Sequence, residues 1–201
     1  MWSNRMNKGW KSTLKQVLQE NNQRAARSGK AVSFATQALR REVLEKGFKD
    51  LREFGYKLQD VRGFKERHMK VLGEAWEAQG KSPATIQNRI SVFRVFSEWV
   101  GKKGMIQKPE RYVQNKESVV RQIVANKDKT WSGQEKDLKS KLENLEKFDP
   151  YVAIQLELQR AFGLRMKEAS LLKPYLNDKT HYLSVDFGTK GGRRRTIAIE
   201  N

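Results

Sequence analysis

The chain has 201 residues, 37% of them hydrophobic, which is enough apolar material for a packed core. Its 41 Lys and Arg outweigh 23 Asp and Glu, and a formal net charge of +18 with a pI near 10.1 argues against a small-metabolite enzyme and for a polyanionic partner. The absence of cysteine excludes disulfides and thiolate chemistry, and no run approaches the roughly 20 apolar residues of a membrane span or forms a signal-peptide core, so a cytoplasmic protein is expected.

The charge is concentrated toward one end. Residues 1–130 hold 28 Lys and Arg against 13 Asp and Glu, whereas residues 131–201 hold 13 against 10. Met1–Gly29 is basic and polar, an arm with one helix expected around Leu14, Val17 and Leu18. From Ser33 to Phe54 the residues Leu39, Val43, Leu44, Phe48, Leu51 and Phe54 recur every three or four positions, the period of an amphipathic helix. A second such helix is expected directly after Asp60 as N-cap, burying Val61, Phe64, His68, Leu72, Ala75 and Trp76 and closing at Gly80. Ser82-Pro83 opens a third in cap-then-proline order, with Ile86, Ile90, Phe93, Val100 and one or both of Phe96 and Trp99 supplying its face. These helices predict a small bundle, and Gly101 to about Thr130 reads as its exit and a linker.

A second unit is expected to start at Ser132, where Ser132-Gly133-Gln134-Glu135 fits a capping box before Leu138, Leu142 and Leu145. Asp149-Pro150 caps the next helix, through Tyr151, Ile154, Leu158 and Phe162 to Gly163, a natural C′ residue. A short helix from Arg165 to Leu172 is stopped by Pro174. The period then changes to two: Leu183, Val185 and Phe187, a turn over Gly188–Gly192, then Ile197 and Ile199, a β-hairpin whose apolar faces are expected to stay partly exposed. The fold class is therefore mainly α with a small hairpin.

Arg165 and Glu168 lie three residues apart at a helix start. They read either as an exposed ion pair or as a guanidinium held ready for an anion, whose planar fork suits a phosphate. Lys190, in Gly188-Thr189-Lys190-Gly191-Gly192-Arg193, reads either as a solvated turn lysine or as a second cation on a close-approach loop. The turn is no P-loop, no His or carboxylate cluster has metal-ligand spacing, and two scattered histidines, His68 and His181, assemble no catalytic triad; no cofactor is expected.

The order of these features, helix ending in Gly163, Arg165 with Glu168, Leu171-Leu172-Lys173-Pro174, then a hairpin with Thr189-Lys190-Gly191-Gly192-Arg193, resembles the start of the catalytic domain of the tyrosine recombinases, the phage-integrase family. Ser82–Gly104 looks like the last helix of that family's SAM-like core-binding domain. The resemblance implies a core-binding, DNA-gripping domain over residues 1–125, with its basic arm, and an incomplete α+β catalytic domain over 126–201. It implies Arg165 as the first arginine of a scissile-phosphate clamp, Glu168 as its acidic supporter and Lys190 as general acid for the 5′ leaving oxygen. The family's His-x-x-Arg and nucleophilic tyrosine would follow the hairpin; Tyr151, Tyr175 and Tyr182 precede Lys190 and do not fit that place. The 201 residues alone are therefore expected not to cleave DNA.

Double-stranded DNA is the implied partner, with self-association on DNA, as a tetrameric synapse for a full-length recombinase, and no membrane or small-molecule substrate. Candidate DNA contacts are Arg24, Arg27, Lys30, Arg40, Arg41, Lys49, Arg62, Lys65, Arg67 and Arg89, with Arg193 and Arg194 on the hairpin. A non-catalytic regulator built on the same fold and a basic RNA-associated protein are the alternatives.

Overall fold

The computed structural model describes residues 9–25, 29–124, 127 and 137–199. The chain forms two compact units, Met1–Ile123 and Val124–Asn201.

Among the described residues of the first unit, four α-helices surround one core: α1 (Trp10–Asn21), α2 (Phe34–Glu53), α3 (Glu66–Ala78) and α4 (Pro83–Trp99). Local chemistry sets their starts. Ser33 Oγ accepts from the Thr36 N–H and Ser82 Oγ from the Thr85 N–H, with Pro83 in the first turn, where its missing N–H costs nothing. Leu14, Val17 and Leu18 share the buried face of α1, and Thr13 Oγ1 accepts from the Val61 N–H at 3.2 Å, tying α1 to the turn before α3.

The middle of the core is aromatic. Phe48, Phe64, Phe93 and Phe96 are fully buried with ring centroids 5.0–6.3 Å apart, and Trp76 packs on Phe93. Gly47 lets α2 approach this cluster, because a Cβ there would lie 2.5 Å from the Phe93 ring.

Three expectations need correction. Asp60 caps only a 3-10 turn, Val61–Gly63, and α3 begins at Glu66 with His68 Nδ1 accepting from the Lys65 N–H at 2.9 Å. Leu39 and Phe54 are 49% and 43% exposed, because the core meets α2 only from Val43 to Leu51. Most of the expected linker is part of the fold. Residues 105–119 run back over α3 and α4, burying Ile106, Tyr112 and Val119.

Polar clasps hold this strap. Arg94 donates to the carbonyls of Ile106 and Gln107, Gln87 donates to the Val119 carbonyl, and the Glu77 carboxylate accepts from the N–H groups of Gln114 and Asn115 and from Ser118 Oγ. The hydrogen bonds from Gln114, Ser118 and Asn115 hold the Glu77 carboxyl below its ordinary pKa. Gly73 is the seat of the strap, since a Cβ there would collide with the Tyr112 backbone.

The second unit contains α5 (Leu138–Phe148), α6 (Pro150–Phe162), two short helices α7 (Met166–Ser170) and α8 (Pro174–Asn177), and an antiparallel hairpin of β1 (Tyr182–Val185) and β2 (Arg195–Ala198). The Ser132 capping box lies outside the described residues, and the cap seen on α5 is Asp137, which accepts from the Ser140 N–H. Asp149 Oδ1 accepts from the N–H groups of Tyr151 and Val152, and Gly163 ends α6 in the left-handed region at φ 58°. Pro174 does not merely end a helix; it opens α8 from the first-turn position proline favours.

The expected partial exposure of the hairpin holds for Ile197 and Ile199 and is corrected for β1. Leu183 and Val185 are buried against Leu164 and Ala169, with Leu158, Phe162, Leu172 and Ile197 around them. Phe187 lies beyond β1 and is exposed, and on α6 Tyr151 and Ile154 face outward rather than into this core.

Candidate functional site

The junction between α6 and α7 is built around one buried acid. Gly163 turns the chain and Leu164 anchors it in the core, which puts Arg165 directly before the first turn of α7. Three residues on, the Glu168 side chain has no solvent exposure. Its Oε1 accepts from Arg165 Nη1 at 2.6 Å, and its Oε2 from the Arg165 backbone N–H and from Arg195 Nη2, each at 2.8 Å. Burial pushes the Glu168 carboxyl upward in pKa, but the hydrogen bonds from the Arg165 backbone, Arg195 and the Arg165 side chain outweigh it and hold the group at about 2.

This geometry changes the reading of Arg165. The pair is no exposed i,i+3 contact, because the acid is buried while the Arg165 side chain stays 59% exposed. Its backbone N–H is already taken by Glu168. The guanidinium itself is thus what Arg165 offers outward, held by one nitrogen and open on the rest.

The turn carrying Lys190 is docked on the same helix. Gly188, at φ 75°, lies against the start of α7 so closely that a Cβ would be 2.5 Å from the Lys167 carbonyl oxygen. Lys190 follows two residues later, exposed at the start of a 3-10 turn, Lys190–Gly192. Lys173 Nζ lies 5.7 Å from the centroid of the exposed Phe187 ring, adding a further cation to this end of the unit.

Two family models match consecutive parts of the chain: one described as phage integrase, N-terminal, over residues 15–106, and one described as integrase, over residues 121–201. The chain belongs to the phage-integrase family of tyrosine recombinases. Compared with the curated proteins and with the solved structures, it has no match. Membership places the chain among site-specific recombinases and makes DNA the partner class. The gap between the two matched stretches, residues 107–120, falls at the strap; the N-terminal match lies within the first unit, and the other match spans the second.

The candidate DNA contacts separate into groups in this integrase. Arg24, Lys30, Arg41 and Lys65 are exposed and, among the described residues, form no ion pair. Lys49 lies 3.9 Å from Glu53, and Arg62 lies between Asp60 and Glu20 at 3.5 and 3.9 Å, loose exposed pairs of little strength. Arg40 and Arg89 are engaged inside the fold, over the rings of Trp99 and Trp76 at 5.5 and 5.2 Å, and burial lowers the Arg40 pKa. Arg67 is exposed beside His68. On the hairpin Arg193 is exposed and Arg194, also exposed, lies 3.8 Å from Asp186. Arg27 lies outside the described residues.

His68 is a core residue. Its ring packs on Tyr56 and Phe64, and burial, reinforced by the positive charges of Arg67, Lys65 and Lys102, pushes its pKa down to about 4. The residue that sequence reasoning missed is Arg195. Its signal was present: Val185 pairs with Arg195 and Leu183 with Ile197, so stepping back two residues from the inward Ile197 reaches Arg195 on the same face. A cation on that inner face needs a buried acid, and Glu168 provides it.

Proposed function

We propose that the chain grips duplex DNA as a tyrosine recombinase does, with Arg165 as a ligand of the scissile phosphate and Glu168 as the group that aims it. Lys190 serves to protonate the 5′ oxygen in a complete recombinase, where a tyrosine oxygen would bond to phosphorus as the P–O5′ bond breaks; these residues hold the lysine and not that nucleophile. Residues 1–125 act as the core-binding domain and residues 126–201 as the opening part of the catalytic domain. The exposed cations Arg24, Lys30, Arg41, Lys65 and Arg193 contact the backbone without reading sequence. Copies associate on DNA, as a tetramer in a complete synapse, in the cytoplasm and on nucleoid DNA.

The observation that carries this reading is the charge arrangement at Glu168. One buried carboxylate is occupied by two guanidiniums, and Arg165 remains open to solvent with charge to spare. A bidentate anion such as a phosphate oxygen pair completes it. Between Lys190 and Asn201 there is no histidine and no tyrosine, so the 201 residues supply part of a clamp and no nucleophile downstream of the lysine. By themselves they bind DNA without forming a covalent adduct.

The experiment is a binding titration of the 201-residue chain on mixed-sequence duplex over a salt series, with structured RNA as competitor, and a parallel incubation with nicked suicide duplex. A steep log–log salt slope, falling by about 0.9 for each phosphate neutralised, with duplex preferred and no adduct, supports the proposal. Preference for the RNA, or a phosphotyrosine-linked adduct, overturns it.

A further inference from the structure

Arg195 starts β2, in the strand that follows the Lys190 turn, and its guanidinium reaches back to the helical junction. A single nitrogen, Nη2, makes both of its contacts there, donating to the Gly163 carbonyl at 3.2 Å and to Glu168 Oε2 at 2.8 Å. The two Glu168 oxygens are thereby divided between partners. Oε1 serves Arg165 Nη1, while Oε2 serves the Arg165 backbone and Arg195, so the carboxylate cannot turn without breaking bonds on both sides.

The charges argue in the same direction. A buried carboxylate facing Arg165 alone would neutralise it and leave an isolated pair with little pull on a phosphate. With Arg195 the three groups sum to one positive charge, and Arg165 has the more exposed side chain, 59% against 39% for Arg195. Arg195 therefore does two things at once: it fixes the rotamer of the acid that holds Arg165, and it offsets the charge that would otherwise silence it.

We propose that Arg195 is a positioning residue of this recombinase site, acting on phosphate only through Glu168 and Arg165. The inference rests on the reading of Arg165 as a phosphate ligand. It also explains why the strand after the lysine turn carries a guanidinium on its inner face, where Val185 and Ile197 are apolar.

The test is a double-mutant cycle on the 201-residue chain, using a duplex selected by the chain from a random pool. In the wild-type background Arg165→Ala should weaken binding about 10- to 100-fold, the loss of a charge-assisted contact. Arg195→Gln should weaken it comparably, and adding Arg165→Ala to that variant should cost less than about threefold. Arg195→Lys should restore affinity, since an ammonium can occupy the place of the one nitrogen that makes both contacts. Glu168→Gln is the discriminating arm: removing a negative charge near DNA favours binding by simple electrostatics, whereas loss of positioning weakens it.

Integrity of the hairpin is read in the same samples from the amide signals of Leu183 and Ile197. If Arg195→Gln loses them, the folded Arg195→Lys chain decides, and it must keep both wild-type affinity and the full cost of Arg165→Ala. Additive losses from Arg165→Ala and Arg195→Gln, or tighter binding by Glu168→Gln, overturn the role of Arg195 while leaving Arg165 as a ligand. No effect of Arg165→Ala in the wild type removes the underlying reading instead.

Discussion

Substituting Gly188 by alanine tests how the lysine-bearing turn is held. Gly188 has φ 75°, and a Cβ there would lie 2.5 Å from the Lys167 carbonyl oxygen and 2.9 Å from the Glu168 nitrogen, both backbone atoms that cannot swing aside. Two costs combine. The left-handed backbone costs an L-residue about 1–2 kcal/mol, and forcing a methyl into filled space costs about 1–3 kcal/mol more. Gly191 is the internal control: its φ is 73°, but nothing lies within 4 Å of an added Cβ, so Gly191→Ala carries only the backbone cost. The difference between the two variants isolates the docking of the turn on α7, about 1–3 kcal/mol. For a unit of this size each kcal/mol moves the melting midpoint by about 4–8 °C. Following the amide signals of Leu183 and Ile197 against temperature measures the second unit without interference from the first. Equal midpoints for Gly188→Ala and Gly191→Ala would refute the contact between the turn and α7.

The two units should fail in acid at different pH. His68 has a folded pKa near 4, below its ordinary 6.5, so the unfolded chain takes up the proton first; its contribution is complete above pH 6.5 and lost as pH falls through 4. Glu168, near 2 against 4.5, contributes fully above pH 4.5 and is lost as pH falls toward 2. Methyl signals of Leu72 and Val185, followed through an acid titration, should therefore show the first unit weakening before the second, with His68→Gln flattening the first unit's response between pH 6.5 and 4; the reverse order would contradict these environments. Gly73→Ala should destabilise the first unit by about 1–3 kcal/mol and expose residues 105–119 to protease, despite alanine's better helix propensity, because the added methyl meets the Tyr112 backbone. A stabilised variant with an intact strap would show that the seat at Gly73 is not tight.

What could be read from sequence was what local chemistry decides. Ser82-Pro83, Asp149-Pro150 and Gly163 act within a few residues of themselves, so their caps and stops were legible. The start of α3 was misread because Val61 and Phe64 are spaced by three, and a 3-10 turn and an α-helix both bring such residues to one side. The strap was invisible because Ile106, Tyr112 and Val119 follow no helical or strand period; what receives them, Gly73 and Glu77, lies some 40 residues away in sequence. Arg165, Glu168 and Lys190 stood out by residue type and order. Arg195 was hidden in the run Arg193-Arg194-Arg195, of which Arg195 alone lies in β2, on the face of Ile197, and reaches Glu168.

The most direct measurement of the central claim is the affinity of the wild-type chain and Arg165→Ala for a selected duplex, taken across a salt series. The phosphate role of Arg165 requires a loss of about 1.5–3 kcal/mol and a log–log salt slope shallower by about 0.9, the signature of one fewer phosphate neutralised. Unchanged affinity and an unchanged slope, with the Leu183 and Ile197 signals intact, would contradict it.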